Sequence, residues 1–94
     1  MKFVINKKIY DTEKSELIIE FWKKWKVQSL VGLLNLSKLT KLYRTQKGNW
    51  FVIAEGDHDF YYVEVKNDEE VQIILSGCGE IEKYNKYFEN LEEA

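Results

Sequence analysis

Residues 39–55 read LTKLYRTQKGNWFVIAE, and this stretch decides the fold. Its two halves, Leu39–Thr45 and Asn49–Glu55, are rich in aliphatic and aromatic side chains and are separated by three residues ending in Gly48. Such residues suit a pleated, half-buried surface. A glycine at the end of a short connection supplies the left-handed residue of a bulged hairpin. The stretch therefore predicts two antiparallel strands joined by a tight turn.

Two further runs downstream have the same character. Phe60–Lys66 is rich in β formers and follows a polar turn at residues 56–59, and Val71–Leu75 follows a second polar turn at residues 67–70. Strand-like runs separated by turn signals at short intervals are typical of consecutive antiparallel strands. Together with the first hairpin they predict a meander of about four strands.

The end of the chain carries a helical pattern. Ile81, Tyr84, Phe88 and Leu91 are spaced at i, i+3, i+7 and i+10, which forms one apolar stripe. The spacing predicts a C-terminal helix packed on the sheet.

The region before residue 26 reads as a small hairpin followed by a helix. Residues 2–5 and 8–10 flank Asn6-Lys7, and asparagine tolerates the backbone of a two-residue turn. Asp11 and Thr12 are then typical helix caps. The five apolar residues that follow lie at i, i+1, i+4, i+5 and i+8, which predicts a helix over residues 12–25. They are Leu17, Ile18, Phe21, Trp22 and Trp25.

Residues 27–37 are leucine-rich but contain Gly32 and Asn35, and they are expected to form a short helix or an apolar loop on the core. The resulting expectation is an α+β fold in a single domain, residues 1–94. In chain order it comprises an N-terminal β-hairpin, a helix, an antiparallel meander of about four strands and a C-terminal helix.

Composition narrows the classes of protein. The 94 residues are 45% hydrophobic and 32% charged, with one cysteine and one histidine. A single cysteine cannot form an internal disulfide, which fits a reducing compartment. No apolar run approaches the roughly 18 residues that span a membrane. We therefore expect a cytoplasmic protein without a membrane partner or a cofactor.

The charge is unevenly distributed along the chain. Residues 1–50 have a net charge of +7 and residues 51–94 a net charge of −9. Such asymmetry favours a charged interaction surface, but the two halves could also neutralise each other within one sheet.

Chemistry-bearing residues are sparse. Cys78 and His58 could form a nucleophile pair only if the fold brought them within hydrogen-bond reach. The run Asp57-His58-Asp59 has ligand-type side chains, but a metal site needs three or four converging ligands. We expect no catalytic residues and no metal site, with Cys78 as a packing residue and the acidic runs as solvated turns.

Residues 22–26 read WKKWK, which mixes aromatic and basic side chains as single-strand nucleic-acid platforms do. In the predicted helix, however, both tryptophans belong to the core and the lysines to solvent. The alternative function, nucleic-acid binding, would use Lys23, Lys24, Lys26, Lys38 and Lys41.

Three fragments together resemble a known group of proteins. They are Lys8–Lys14, Leu42–Val52 and the closing helix after a β run. In this order they resemble a loose family of small proteins carried by phages, plasmids and integrative elements of low-GC Gram-positive bacteria. Some members or neighbours of that family are anti-CRISPR inhibitors.

The resemblance implies a non-enzymatic inhibitor from a mobile element that binds a Cas effector in the bacterial host cell. Effector complexes hold nucleic acid in positively charged channels, which an acidic surface could occupy. A second copy of the chain is a further possible partner. The expected partner-binding residues are the turn carboxylates Asp57, Asp59, Asp68, Glu69 and Glu70.

Overall fold

The computed structural model describes residues 1–89, 92 and 93. They form six strands and two helices: β1 (Lys2–Ile5), β2 (Lys8–Asp11), β3 (Glu16–Ser29), β4 (Gly32–Arg44), β5 (Trp50–Glu55), β6 (Tyr61–Lys66), α1 (Asp68–Gly77) and α2 (Ile81–Tyr87). The predicted α+β class, with an N-terminal hairpin, a four-stranded antiparallel sheet and C-terminal helical structure, is confirmed.

Both predicted tight turns are present. β1 and β2 pair around Asn6 and Lys7, whose φ angles of 51° and 64° are those of a two-residue hairpin turn. The β4–β5 connection, residues 45–49, contains Gly48, whose φ is 85° and whose N–H donates to the Thr45 carbonyl at 2.9 Å. Each turn therefore has a left-handed residue where the sequence predicts one.

The large sheet has the strand order β3-β4-β5-β6, with every pair antiparallel. Strand β5 is buried on both faces. Trp50, Val52 and Ala54 belong to the main core with α1, whereas Phe51 packs edge-on against Tyr10 of β2 at 5.4 Å between ring centroids. The molecule thus has three layers: the β1–β2 hairpin, the sheet and the helices.

The sheet is strongly curled. Trp25 of β3 lies 5.7 Å from Tyr62 of β6 between ring centroids, and Lys23 Nζ lies 3.4 Å from Glu64 Oε1. Because β3 and β6 are the two outer strands, these contacts require the inner face to be concave. The helices cover part of this concave face through Val71 and Leu75, which are fully buried.

The predicted helix over residues 12–25 is wrong, since residues 16–29 form strand β3. A β-bulge between Leu17 and Ile19 inserts an extra residue and breaks the alternation of buried and exposed side chains. In the rest of the strand, aromatic and lysine side chains occur on both faces. The sequence therefore does not show the alternation of apolar and polar residues that is typical of a strand, and the spacing of its apolar residues matches a helix by coincidence.

The predicted helix cap belongs to a turn instead. The Asp11 side chain accepts the Glu13 N–H at 3.0 Å, and the Ser15 hydroxyl donates to the Asp11 carbonyl at 2.6 Å. A bond to the backbone two residues on is an Asx turn, which uses the same residue type as a cap. This turn leads from β2 into β3.

Residues 27–37 form neither a short helix nor a loop. They complete β3 and begin β4, and the two strands are joined by Leu30 and Val31. Ser29 pairs with Gly32, whose φ is 110°. The glycine, which weakens a helix, here provides the backbone that lets the chain reverse.

The fourth predicted strand, Val71–Leu75, is also wrong because it lies within α1. Asn67 and Glu70 form a reciprocal capping box, with the Glu70 N–H donating to Asn67 Oδ1 at 2.8 Å. The meander still has four strands, because β3 is a strand that was not predicted and residues 71–75 are not a strand. The predicted C-terminal helix is confirmed as α2, but its stripe is only partly right, because Ile81 is exposed and Phe88 follows the helix in an extended conformation. Leu91 of the stripe lies outside the described residues.

Candidate functional site

A two-stranded arm projects from the sheet. We define the arm as residues 26–35, the part of the β3–β4 hairpin beyond the buried Trp25. β4 pairs with β5 only between Lys41 and Arg44, so the arm has no neighbouring strand on either side. Four residue pairs give it a length of about 14 Å.

The end of the arm is apolar and open to solvent. Leu30 and Val31 are almost wholly exposed, Leu33 is 70% exposed and Leu34 is 42% exposed. Leu30 and Val31 lie at the turn, and Leu33 and Leu34, as neighbours along β4, lie on opposite faces next to it. Contiguous exposed apolar surface of this kind marks interaction sites.

The turn at the end of the arm has apolar residues at its two central positions, Leu30 and Val31. Neither has a positive φ, and the left-handed residue is Gly32, which suits a turn of this kind. The polar bonds of the turn come from its flanks: Ser29 Oγ donates to the Gly32 carbonyl at 2.8 Å and accepts the Val31 N–H at 3.2 Å. The backbone of the turn is therefore ordinary, and its unusual feature is the exposure of two large apolar side chains at its centre.

The structure does not bring the five candidate nucleic-acid-binding lysines together on one face. Lys24, Lys26 and Lys41 lie on the outer face of the hairpin with the exposed Trp22, whereas Lys23 and Lys38 share the inner face with Trp25. Three of the five also have partners within the protein. Lys23 pairs with Glu64 at 3.4 Å and lies 4.0 Å above the Trp25 ring; Lys41 lies 4.0 Å from Glu20; Lys38 lies 5.4 Å above the Tyr62 ring.

The five predicted partner-binding carboxylates do not form one surface. Asp57 and Asp59 lie in the predicted turn between β5 and β6. The predicted polar turn at residues 67–70 is wrong, because Asn67 caps α1 and Asp68, Glu69 and Glu70 form the first turn of that helix. Strand β6 separates the two groups, and its six residues span about 20 Å. By the strand register, the β5–β6 turn lies at the end of the sheet from which the arm projects, and the α1 carboxylates lie at the opposite end.

Two of the carboxylates have structural roles. The Trp50 indole N–H donates to Asp68 Oδ1 at 3.0 Å, which satisfies the polar atom of a buried side chain. Glu70 Oε1 accepts the Asn67 N–H at 3.1 Å, and its other oxygen lies 3.4 Å from Lys66 Nζ. The hydrogen bond from Asn67, together with Lys66, holds the pKa of Glu70 below its usual range.

A chain of charges ties the outer strands to α1. Glu64 accepts from Lys66 at 2.8 Å and from Lys23 at 3.4 Å. Partial burial raises the pKa of Glu64, but the two lysines outweigh this effect, so that its pKa is lowered. Partial burial likewise opposes the positive charge of Lys66, but Glu64 and Glu70 prevail and raise its pKa. Lys23 is thereby held inside the curl of the sheet.

Cys78 and His58 lie in different parts of the fold. Cys78 is the C-terminal cap of α1 and does not begin a helix, and it is exposed, so its predicted role as a packing residue is wrong. His58 is in the β5–β6 turn with a φ of 53°. Partial burial, aided by Glu80, raises the pKa of the Cys78 thiol. At neutral pH a smaller fraction of the Cys78 thiol is therefore ionised than in an ordinary cysteine, which makes it a weaker nucleophile than an ordinary cysteine. Across residues 1–89, 92 and 93, no group of three or more His, Cys, Asp or Glu side chains converges as metal ligands would.

Comparisons of the chain with protein-family models, with curated proteins and with solved structures found no match. Within the part of the chain that the structure describes, neither helix is long and apolar enough to cross a membrane.

Proposed function

We propose that this protein is a non-enzymatic inhibitor that inserts its arm into an apolar cleft of a partner protein. The observation that supports this function is the apolar end of the arm, Leu30, Val31, Leu33 and Leu34, carried at the end of a two-stranded ribbon about 14 Å long. Buried apolar anchors at the centre of an interface commonly supply most of its affinity.

The charges around the arm indicate the chemistry of the partner. Lys26, at the start of the arm, and Lys24, just before it, lie on the outer face of the β3–β4 hairpin without an acidic partner in the part of the chain described, so a rim of carboxylates on the partner would complement them. Asp57 and Asp59 lie in the β5–β6 turn, at the end of the sheet from which the arm projects. They would pair with basic groups of the partner around the cleft that receives the arm. These two are the members of the predicted acidic set that remain part of the proposed contact surface.

The proposed partner is a Cas effector, and the resemblance of the sequence to proteins of mobile elements supports this choice. The proposal keeps the inhibitor class expected from the sequence but moves its centre from the acidic turns to the arm. Nucleic-acid binding by Lys23, Lys24, Lys26, Lys38 and Lys41 has less support, because the sheet divides these lysines between two faces.

The test is a binding measurement against a panel of purified Cas effectors. The double variant Leu30→Ser, Val31→Ser removes the two most exposed of the four apolar side chains at the end of the arm while leaving every described hydrogen bond of the turn in place. A matched control is Ile73→Ser, Ile81→Ser, which removes two exposed apolar side chains from the helices.

We expect wild type and control to bind one effector and the arm variant to lose at least tenfold in affinity, with an unchanged melting temperature. Equal binding by all three proteins would exclude the arm as the contact. A change of oligomeric state in the arm variant alone would instead identify a second copy of the chain as the occupant.

A further inference from the structure

A groove lies between the β1–β2 hairpin and the β4–β5 turn, on the side of the molecule away from the helices. It encloses about 630 Å³, and five lysines line it. They come from three separate parts of the chain: Lys2, Lys7 and Lys8 from the hairpin, Lys14 from the turn before β3, and Lys47 from the β4–β5 turn. The fold therefore gathers these charges where the sequence keeps them up to 45 positions apart.

The positive charge of the groove is not neutralised within the described chain. None of the five lysines forms an ion pair or a hydrogen bond there, whereas Lys23, Lys41, Lys66 and Lys86 each have a carboxylate partner. The one carboxylate in the lining is Asp11, which is buried and accepts the Glu13 N–H at 3.0 Å. Five ammonium groups around one concave space attract anions, and the field is focused by the groove walls.

Lys7 occupies a backbone position that favours glycine. It is the second residue of the β1–β2 turn and has a φ of 64°, where the common hairpin sequence is Asn-Gly. A lysine in this conformation is strained, and strain of this kind is concentrated at ligand-binding sites. The turn thus places a charged side chain at the mouth of the groove at a cost in stability.

The remaining lining favours phosphate over bases. Its side chains include the hydrogen-bonding groups of Ser15, Thr45, Gln46 and Asn49, and its aromatic residue, Tyr10, is 5% exposed. Base stacking needs an open aromatic face, which this lining does not offer. Lysine binds phosphate as a point charge.

We propose that the groove binds the phosphodiester backbone of a nucleic acid without reading its sequence. From Lys2 to the turn at Lys7 the hairpin extends for about 14 Å, which matches about four phosphates of one strand. This site is separate from the arm, so it goes beyond the proposed function and can hold or fail independently of it.

The test is fluorescence anisotropy with labelled single-stranded and duplex oligonucleotides of mixed sequence, titrated between 50 and 200 mM salt. For four phosphate contacts, log K should fall against log salt with a slope of about −3 for a single strand. The variant Lys14→Gln, Lys47→Gln should weaken binding on the order of tenfold and make the slope shallower by about 1.4.

Lys7→Gly separates a binding role from a structural one. Glycine relieves the strained φ, so the melting temperature should stay the same or rise, while the loss of one charge should weaken binding severalfold. The matched control for the double variant is Lys24→Gln, Lys26→Gln, which removes two charges from the outer face of the β3–β4 hairpin and should leave oligonucleotide affinity within twofold of wild type.

The proposal is overturned if neither oligonucleotide binds at 50 mM salt, or if inorganic polyphosphate binds and both oligonucleotides do not. It is also overturned if Lys14→Gln, Lys47→Gln and Lys7→Gly bind as tightly as wild type. Equal losses in the arm control and the groove variants would show a diffuse charge effect and would equally exclude the groove as the site.

Discussion

Trp22 and Trp25 provide a sharp test of strand β3, because a helix and a strand make opposite predictions for the pair. Three positions apart, they would share one face of a helix, but they face opposite sides of a strand. Trp22 is 71% exposed on the outer face, and Trp25 is 3% exposed on the inner face. Truncating each to alanine should therefore have very different effects on stability.

The magnitude for Trp25 follows from its surroundings. Its indole N–H donates to Thr40 Oγ1 at 3.0 Å, and its ring contacts Tyr62 and Lys23. Removing a buried tryptophan costs about 3–5 kcal/mol, whereas an exposed substitution is within about 0.5 kcal/mol. With about 4–8 °C per kcal/mol for a domain of this size, Trp25→Ala should lower the melting temperature by at least about 12 °C. Trp22→Ala should change it by no more than about 4 °C.

The assay is thermal and urea denaturation followed by circular dichroism. A total stability of about 5–14 kcal/mol is expected for 94 residues, so Trp25→Ala could be mostly unfolded. Trp25→Phe keeps a ring against Tyr62 and provides a measurable, smaller loss. Similar losses for Trp22→Ala and Trp25→Ala would refute the strand assignment and restore the helical interpretation.

Three further predictions concern the hydrogen bonds of the core and of α1. Thr40→Val keeps the shape of the side chain but leaves the Trp25 N–H without its acceptor, so urea denaturation should show a loss of about 1–3 kcal/mol. Asn67→Ala removes the helix cap and should cost about 1 kcal/mol by the same measurement, whereas an unchanged midpoint would contradict the capping box. The pKa of Glu70 is lower in the folded protein than in the unfolded chain, where it is near 4.5. The ionised Glu70 side chain therefore stabilises the fold above pH 4.5, and this stabilisation is lost as the pH falls through the folded pKa. Denaturation midpoints below pH 4.5 should therefore fall more steeply for wild type than for Glu70→Gln, and parallel pH profiles would argue against this role.

The central hairpin was predictable from the sequence because its local signals agree. In residues 39–55, β-forming side chains flank a turn with glycine at its left-handed position, and the apolar residues do not also follow a helical spacing. The Asn6-Lys7 turn is predictable for the same reason. In such segments the local and the tertiary preferences point to one structure.

Strand β3 was not predictable in this way because tertiary contacts decide it. Lys23 lies on the inner face, held by Glu64 from a strand about 40 residues away, and the bulge at Ile18 shifts the alternation. Neither feature is visible in a local window. By contrast, α1 had an unused signal: Asn67 followed by Glu70 before an apolar run is a capping-box pattern.

The candidate site was missed because its residues fit no chemical motif. The arm is recognised only once Leu30 and Val31 are known to lie at a hairpin turn in solvent. The acidic residues were correctly seen as surface groups, but their separation by β6 and the bond from Trp50 to Asp68 depend on the fold.

If the apolar end of the arm makes the proposed contact, its loss should abolish the inhibition of target cleavage by a Cas effector. This inhibition can be compared for wild type, Leu30→Ser with Val31→Ser, and the control Ile73→Ser with Ile81→Ser. We predict that wild type and control inhibit one effector of a panel and that the arm variant, with the same melting temperature, does not. Inhibition by the arm variant at the wild-type level, or no inhibition of any effector by the wild type, would contradict the account.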